Sequence, residues 1–343
     1  MGGGTAVTRV AINGFGRIGR AFFKIAFERP ELEFVAINDL GEPETLAYLL
    51  RYDTVYGRYD KEVKISDGSL VVGGKKIKIL SEKDPGLLPW KEMDIDVVVE
   101  STGRFDELEE AEKHIEAGAK RVVITAPAKG NVPYALIGAN DALFTGDLPL
   151  VTCNASCTTN AAVPVAAVMM EKIGVIKGML NTAHGYTATQ SLVDGPATKD
   201  PRRGRAAAMN IVPSSTGAAE SVVKSLNGLE GLFDGIALRV PVVCGSIVDF
   251  TFLAKRKTSV VEVNKILKDA SQDPRWEKVL AVTEDPIVSS DIIKDPHASI
   301  VDLAMTRVVD GDLVKVLAWY DNEWGYSAAL VEHVVRVGNL ISK

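Results

Sequence analysis

Arg9-Val10-Ala11-Ile12-Asn13-Gly14-Phe15-Gly16-Arg17-Ile18-Gly19 is a short apolar strand that runs into three spaced glycines and then into a helix over 18–27. Gly14 permits a tight turn, Gly16 lets the backbone approach a bound group, and Gly19 lets helix and strand pack closely. The helix start adds N–H groups and the positive end of a dipole, which suit phosphates. Asp39 closes a second apolar strand, 34–38, and lies 20 residues after Gly19. A carboxylate there accepts from ribose hydroxyls and repels a 2′-phosphate, which favours NAD over NADP. A glycine turn without a ligand is the competing reading. The succession of strand, loop, helix, strand and Asp weighs against it.

Two further apolar strands, 95–100 and 121–124, flank a helix-like 106–117, and an antiparallel hairpin is expected over 70–72 and 76–80. Short apolar strands alternating with amphipathic helices predict an α/β Rossmann domain with a parallel sheet covered on both faces. After residue 156 the character changes. A helix over 157–173 leads into long β segments at 179–184, 236–243 and 247–255. Ser259 and Glu262 form a capping box that opens a helix to about residue 270, a strand follows at 314–320, and a last helix runs over 324–341. This pattern predicts an α+β catalytic domain with a mostly antiparallel sheet. The expected domains are 1–156 for the dinucleotide, with 321–343 packing back on it, and 157–320 for the substrate. The polar stretch 185–208 has no period, and a loop of that length is usually functional or buried at an interface.

The chain has 343 residues, enough for two domains. Its net charge of −6 is spread without a basic block, which argues against nucleic acid or an anionic membrane as the main partner. The longest apolar run, 161–170, falls short of the roughly 20 residues that span a bilayer. Residues 1–4 carry no leader pattern, and Ala6 breaks the myristoylation pattern. Three cysteines form no disulfide framework and, with four scattered histidines, no metal set. The expected location is the cytoplasm.

Two residues stand out for covalent chemistry. Cys157, in Ala155-Ser156-Cys157-Thr158-Thr159-Asn160, opens a helix whose dipole is expected to lower the thiol pKa, although a free Cys is also often a small buried apolar residue. For Cys153, four positions earlier, a packed strand residue is the preferred reading. His184 ends an apolar strand where a general base faces a polar loop. His114, His297 and His333 read as solvated or structural. Thr187, Thr189, Arg203, Thr216, Gly217 and Arg239 form an anion-ready set of hydroxyls, amides and guanidiniums.

Four motifs occur in order: Ile12-Asn13-Gly14-Phe15-Gly16-Arg17-Ile18-Gly19-Arg20, Asn154-Ala155-Ser156-Cys157-Thr158-Thr159-Asn160, His184-Gly185-Tyr186-Thr187-Ala188-Thr189-Gln190 and Trp319-Tyr320-Asp321-Asn322-Glu323-Trp324-Gly325-Tyr326. On these residues the chain resembles the phosphorylating glyceraldehyde-3-phosphate dehydrogenases from about Thr8 to its end. The resemblance implies oxidation and phosphorylation of D-glyceraldehyde 3-phosphate to 1,3-bisphosphoglycerate with reduction of NAD. Cys157 would be the nucleophile and His184 its base. Arg17, Ile18, Asp39, Lys83, Thr125 and Asn322 would hold NAD, and Thr187 and Arg239 the substrate phosphate. Ser156, Thr158, Arg203, Thr216 and Gly217 would surround the attacking inorganic phosphate. A homotetramer is implied as well. Erythrose 4-phosphate oxidation and an NAD-binding thiol redox sensor are the alternatives. Departures from the common pattern are Lys83 for Arg, Tyr56 for His, Cys153 for Ser, and Val242-Val243-Cys244-Gly245 after Pro241.

Overall fold

Thr8–Asn13 (β1) lies in the middle of an eight-stranded sheet, and the continuous apolar run Val10-Ala11-Ile12 at its centre suits a strand covered on both faces. In the computed structural model, which describes residues 7–197 and 200–341, the chain divides into two units. The segment 1–6, where no leader pattern is found, lies outside the described residues. The first unit comprises the chain to Leu136, then Asn140–Ala155, then the residues from Leu330 onward. The second comprises Ile137–Ala139 and Ser156–Ala329.

In the first unit β1 is followed by α1 (Arg17–Ala26), β2 (Leu32–Asn38), α2 (Pro43–Arg51) and a small ladder of β3 (Tyr52–Asp53) and β4 (Gly57–Arg58). β5 (Val63–Ser66), β6 (Ser69–Val72) and β7 (Lys75–Leu80) come next, then β8 (Val97–Glu100), α3 (Leu108–Glu116), β9 (Arg121–Ile124) and β10 (Val151–Cys153). The sheet order is β10-β9-β8-β1-β2-β7-β6-β5. Pairing is parallel from β10 to β7, and only β7-β6-β5 is antiparallel, with the expected hairpin inside it. One core joins Val10, Ile12, Phe22, Phe23, Phe34 and Ile37 to Leu330, Val334 and Val337. The strand order turns back at β1, and this switch places the carboxyl ends of β1, β2 and β8 together.

The second unit starts with α4 (Cys157–Lys172), whose residues from Thr158 to Met169 are all buried, as its apolar run foretells. β11 (Val175–Gly185), β12 (Val212–Ser215), α5 (Ala218–Ser225), β13 (Phe233–Val240), β14 (Ser246–Ala254) and α6 (Val260–Ser271) follow. Ser259 caps α6, its Oγ accepting from the Glu262 amide at 3.2 Å. β15 (Leu280–Thr283), β16 (Ser299–Asp302), β17 (Arg307–Val309), β18 (Leu313–Tyr320) and α7 (Trp324–Asn339) complete the chain. The order β12-β13-β11-β14-β18-β16-β15 is mostly antiparallel, with parallel pairs at β11/β13 and β15/β16. α7 is divided: its residues through Ala329 belong to this unit and those from Leu330 to the first.

His333 is fully buried in the first unit, a structural histidine rather than a solvated one. Its Nδ1 lies 3.1 Å from Asn154 Oδ1 and its Nε2 3.0 Å from Thr152 Oγ1. An amide oxygen only accepts, so Nδ1 carries the proton and Nε2 accepts from the threonine. Burial pushes this imidazole down to about 3, helped by the nearby Arg336 charge. An unfolded histidine takes up its proton near pH 6.5, so the unfolded state binds more protons between 6.5 and 3 and stability is lost as pH falls through that window. The pH slope of unfolding there is expected to be shallower in His333→Gln, by up to about 1.4 kcal/mol per pH unit. Urea titrations at several pH values measure both slopes, and equal slopes would refute the assignment.

Candidate active site

The dinucleotide side of the chemistry is built at the carboxyl end of β1. Gly14 has φ +94°, and a Cβ there would stand 2.6 Å from the Thr102 amide nitrogen, so only glycine fits. A Cβ on Gly16 would meet nothing within 4 Å, which leaves that side of the loop open to a pyrophosphate. Gly16 is also the N-cap of α1, offers no capping side chain, and is followed by a first turn without acidic residues. The Asp39 carboxylate is fixed beside the loop: Oδ2 accepts from the Phe15 amide at 2.7 Å and Oδ1 from the Gly41 amide at 2.8 Å. Arg17 pairs with Asp53 at 2.8 Å and lies over the ring of Tyr56 at 5.5 Å, so the tyrosine that departs from the family pattern serves as a platform for this cation. Ile18 is half-buried in the first turn, Thr125 follows β9, and Lys83 is exposed after β7. These residues fit a dinucleotide: an open amide-lined loop, an uncapped helix start and a pinned carboxylate.

The thiol side is built in the second unit. Ser156 caps α4, its Oγ accepting from the Thr159 amide at 3.1 Å, and Cys157 is the first helical residue. The preceding Ala155 has φ +54°, a left-handed conformation that costs a non-glycine residue about 1–2 kcal/mol. His184 and Arg239 are register partners on the parallel strands β11 and β13. That register sets three groups in a row. Cys157 Sγ lies 3.3 Å from His184 Nε2, and His184 Nδ1 lies 2.7 Å from both the Gly185 carbonyl oxygen and Arg239 Nη1. Arg239 Nη1 also donates to the Gly185 carbonyl at 3.1 Å.

The electrostatics correct one expectation. Burial pushes the Cys157 thiol up, against the Arg239 charge and the Thr158 and Cys157 amides, which pull it down. The helix start does favour the thiolate, but desolvation outweighs it. Burial pushes His184 down to about 3, with Arg239 and Arg203 adding repulsion. Burial thus works against the charged form of both members of the pair.

Around this pair the anion-ready residues fall into groups. Arg203 donates from Nη1 to Thr189 Oγ1 at 3.2 Å and from Nη2 to Ser214 Oγ at 3.0 Å, and Thr189 lies 3.0 Å from Thr187 Oγ1. Among the described residues neither Arg203 nor Arg239 forms an ion pair, and Arg239 Nε is buried without a hydrogen-bond partner. Two guanidiniums without a carboxylate call for an anion. Thr216 Oγ1 accepts from the Ala218 amide at 3.1 Å, and Gly217 is the N-cap of α5. Asn322 Oδ1 accepts from the Gly245 amide at 3.1 Å and from Ser246 Oγ at 2.9 Å, so its amide NH2 is the end left to face a ligand.

Sequence reasoning missed a hydroxyl chain behind the thiol. Thr182 Oγ1 donates to the Ile247 carbonyl at 3.0 Å, hence Tyr320 donates to Thr182 at 2.8 Å and Thr158 donates to Tyr320 at 2.9 Å. Cys153, fully buried in β10, donates to the Ala126 carbonyl at 2.9 Å and is a packed strand residue. The described residues contain no group of three metal-ligating side chains, and none of their helices is long and apolar enough to cross a membrane.

A loop of this build marks the chain as a dinucleotide-binding protein of the Rossmann class. Residues 8–108 match the family model described as glyceraldehyde 3-phosphate dehydrogenase, NAD binding domain, and residues 156–322 match the C-terminal domain of the same family. Similar proteins include glyceraldehyde-3-phosphate dehydrogenase of Streptomyces coelicolor, 48% identical over 96% of this chain and 98% of that one. Another is glyceraldehyde-3-phosphate dehydrogenase 3 of Saccharomyces cerevisiae, 47% identical over 96% of this chain and 100% of that one. The enzyme of Thermotoga maritima is 48% identical over 95% and 98%. The chain belongs to the glyceraldehyde 3-phosphate dehydrogenase family, and its cofactor is NAD.

Proposed function

We propose that this protein oxidises and phosphorylates D-glyceraldehyde 3-phosphate through a thioester on Cys157, with His184 as the base. The observation that carries the reading is the row Cys157 Sγ, His184 Nε2, His184 Nδ1, Arg239 Nη1, in which a nucleophile, a base and an anion-seeking cation share one imidazole. Gly14, Gly16, Arg17, Ile18, Gly19, Asp39, Lys83, Thr125 and Asn322 would hold NAD, which supplies the hydride acceptor. The Cys157 sulfur adds to the aldehyde carbon as its proton moves to His184 Nε2, and the imidazolium passes that proton on to the former aldehyde oxygen, which becomes the hydroxyl of a thiohemiacetal and leaves His184 neutral again. His184 then takes the hydroxyl proton of the thiohemiacetal as the carbon loses hydride, leaving a thioester. Inorganic phosphate, placed by Ser156, Thr158, Arg203, Thr216 and Gly217, attacks that carbon. The C–S bond breaks, and the imidazolium returns a proton to sulfur.

Arg239 has a second part in this scheme. A guanidinium only donates, so while it faces Nδ1 it favours the tautomer with the proton on Nε2, the wrong one for a base. A substrate phosphate that draws Arg239 and Thr187 to itself lets Nδ1–H donate to the Gly185 carbonyl and leaves Nε2 as acceptor. In Arg239→Leu we therefore expect KM for the phosphorylated aldehyde to rise by about 100-fold, in line with the loss of a charge-assisted contact. Unphosphorylated glyceraldehyde should react no slower than in the parent. Steady-state kinetics on both aldehydes check this, and an equal loss on both would refute it.

The alternating strand β11 and the loop after it expose apolar side chains: Met179, Leu192 and Met209 are 64%, 82% and 81% exposed. Such surfaces suit burial against further copies of the chain, and we read the assembly as a homotetramer. Three free thiols suit the reducing cytoplasm. The deciding assay follows NADH absorbance from glyceraldehyde 3-phosphate and NAD with and without inorganic phosphate. Sustained turnover that requires phosphate is expected, and turnover indifferent to phosphate would overturn the acyl-phosphate route.

A further inference from the structure

Behind the glycine loop lies a buried polar chain that no step above uses. Glu100 ends β8 opposite Asn13, the last residue of β1, and its carboxylate is only 2% exposed. Four donors converge on it. Oε2 accepts from Asn13 Nδ2 at 2.6 Å and from His114 Nε2 at 3.1 Å, and Oε1 accepts from the Thr102 amide at 2.8 Å and Thr102 Oγ1 at 2.5 Å. The direction of the histidine bond is fixed from behind. Trp90 Nε1, which can only donate, gives its proton to His114 Nδ1 at 2.9 Å, so Nε2 must carry the hydrogen that points at Glu100. Both the Trp90 and His114 side chains are wholly buried.

The two residues Glu100 grips, Asn13 and Thr102, are the covalent and spatial neighbours of Gly14. Asn13 precedes it in the chain, and the Thr102 amide is the atom that a Cβ on Gly14 would strike. Asn13 Oδ1 in turn accepts from Asn38 Nδ2 at 2.7 Å, next to Asp39, and the Asn38 carbonyl accepts from the Gly14 amide at 2.8 Å. From these contacts we infer that Trp90, His114 and Glu100 are positioning residues for the NAD loop: they act through Asn13 and Thr102 to hold Gly14 and Asp39 in the cofactor-binding arrangement, and they make no cofactor contact themselves. A buried carboxylate that accepts four hydrogen bonds fixes its donors more tightly than water would, because each donor has no competing partner in the interior.

Glu100→Gln tests this, since the isosteric amide replaces an acceptor oxygen by a donor NH2 facing donors. Equilibrium binding of NAD to the purified protein, by calorimetry or fluorescence quenching, is expected to weaken at least tenfold. His114→Phe and Trp90→Phe should weaken it by smaller amounts, in that order. The rate of Cys157 alkylation by iodoacetamide without NAD, and KM for the aldehyde at saturating NAD, should stay within twofold of the parent. A purely structural role would instead lower melting temperature and all these functions together. NAD affinity within twofold of the parent in Glu100→Gln would overturn the inference, as would a parallel loss of thiol reactivity. Should that variant fail to fold, Trp90→Phe decides alone, because it keeps an aromatic ring and removes only the indole donor: unchanged NAD affinity there overturns the inference.

Discussion

Cys157→Ala is expected to lose at least about 10^4-fold in turnover while still binding NAD with the affinity of the parent. The size of the loss follows from the chemistry. Without a covalent thioester the aldehyde would have to be oxidised as its hydrate, and no acyl group would remain on the protein for phosphate to attack. His184, neutral and pushed down to about 3, would face a methyl group instead of a thiol proton. The retention of NAD follows from where its candidate contacts lie: the Gly14 loop, the Asp39 carboxylate and the Asn322 amide each hold their place through bonds that do not involve Cys157. Stopped-flow absorbance for turnover and calorimetry for NAD make the comparison. Residual dehydrogenase activity within a hundredfold of the parent would mean that another group accepts the acyl unit, and the assignment of Cys157 would fall.

Local rules carried the reading of the sequence a long way. Gly14, Gly16 and Gly19 between two apolar strands specify their own conformation, because positive φ at Gly14 and close packing at Gly19 are backbone demands visible in residue type. The buried helix α4 was equally legible, since an apolar run between polar ends has few other uses. Short strands were harder. β15 and β16 have four residues each, too few to show a period, and they exist because β18 supplies a neighbour for β16. The helix α2 begins at Pro43 and buries only Leu46, Ala47 and Leu50, a signal no stronger than that of a loop.

Within the site, identity was readable but electrostatic state was not. A helix N-terminus is a local feature and argues for a thiolate. The opposing desolvation is a property of the folded site, where His184 on β11 stands 3.3 Å from the sulfur, and no local spacing announces it. The same holds for His114. On a helix rich in charge it reads as solvated or structural, and the fold makes it structural, its ring fully buried between Trp90 and Glu100, 24 and 14 positions away. Tyr320 was visible only as part of a motif. Its role as a link between Thr158 and Thr182 depends on contacts spanning 162 and 138 residues, which no spacing rule encodes.

His184→Asn should lower kcat/KM by about 10^2- to 10^4-fold at neutral pH, the range of a lost general base, and should change the shape of the pH profile as well. In the parent the thiol is pushed up by burial and the imidazole down to about 3. Between neutrality and mild alkali both groups therefore keep one protonation state. The reacting species is constant, and the rate should be nearly flat with pH. An asparagine cannot take the thiol proton, so only the small fraction of Cys157 already ionised can react. That fraction grows tenfold per pH unit below the thiol pKa, and the pKa lies above its ordinary value, so the variant's rate should climb steadily across the neutral and mildly alkaline range. Its activity should draw nearer to the parent's as pH rises. Iodoacetamide alkylation of Cys157, which needs thiolate but no hydride transfer, should show the same rising limb in the variant. A variant profile as flat as the parent's would mean that the thiol is ionised without His184, and the neutral thiol–imidazole pair would have to give way to a thiolate held by Arg239 and the start of α4.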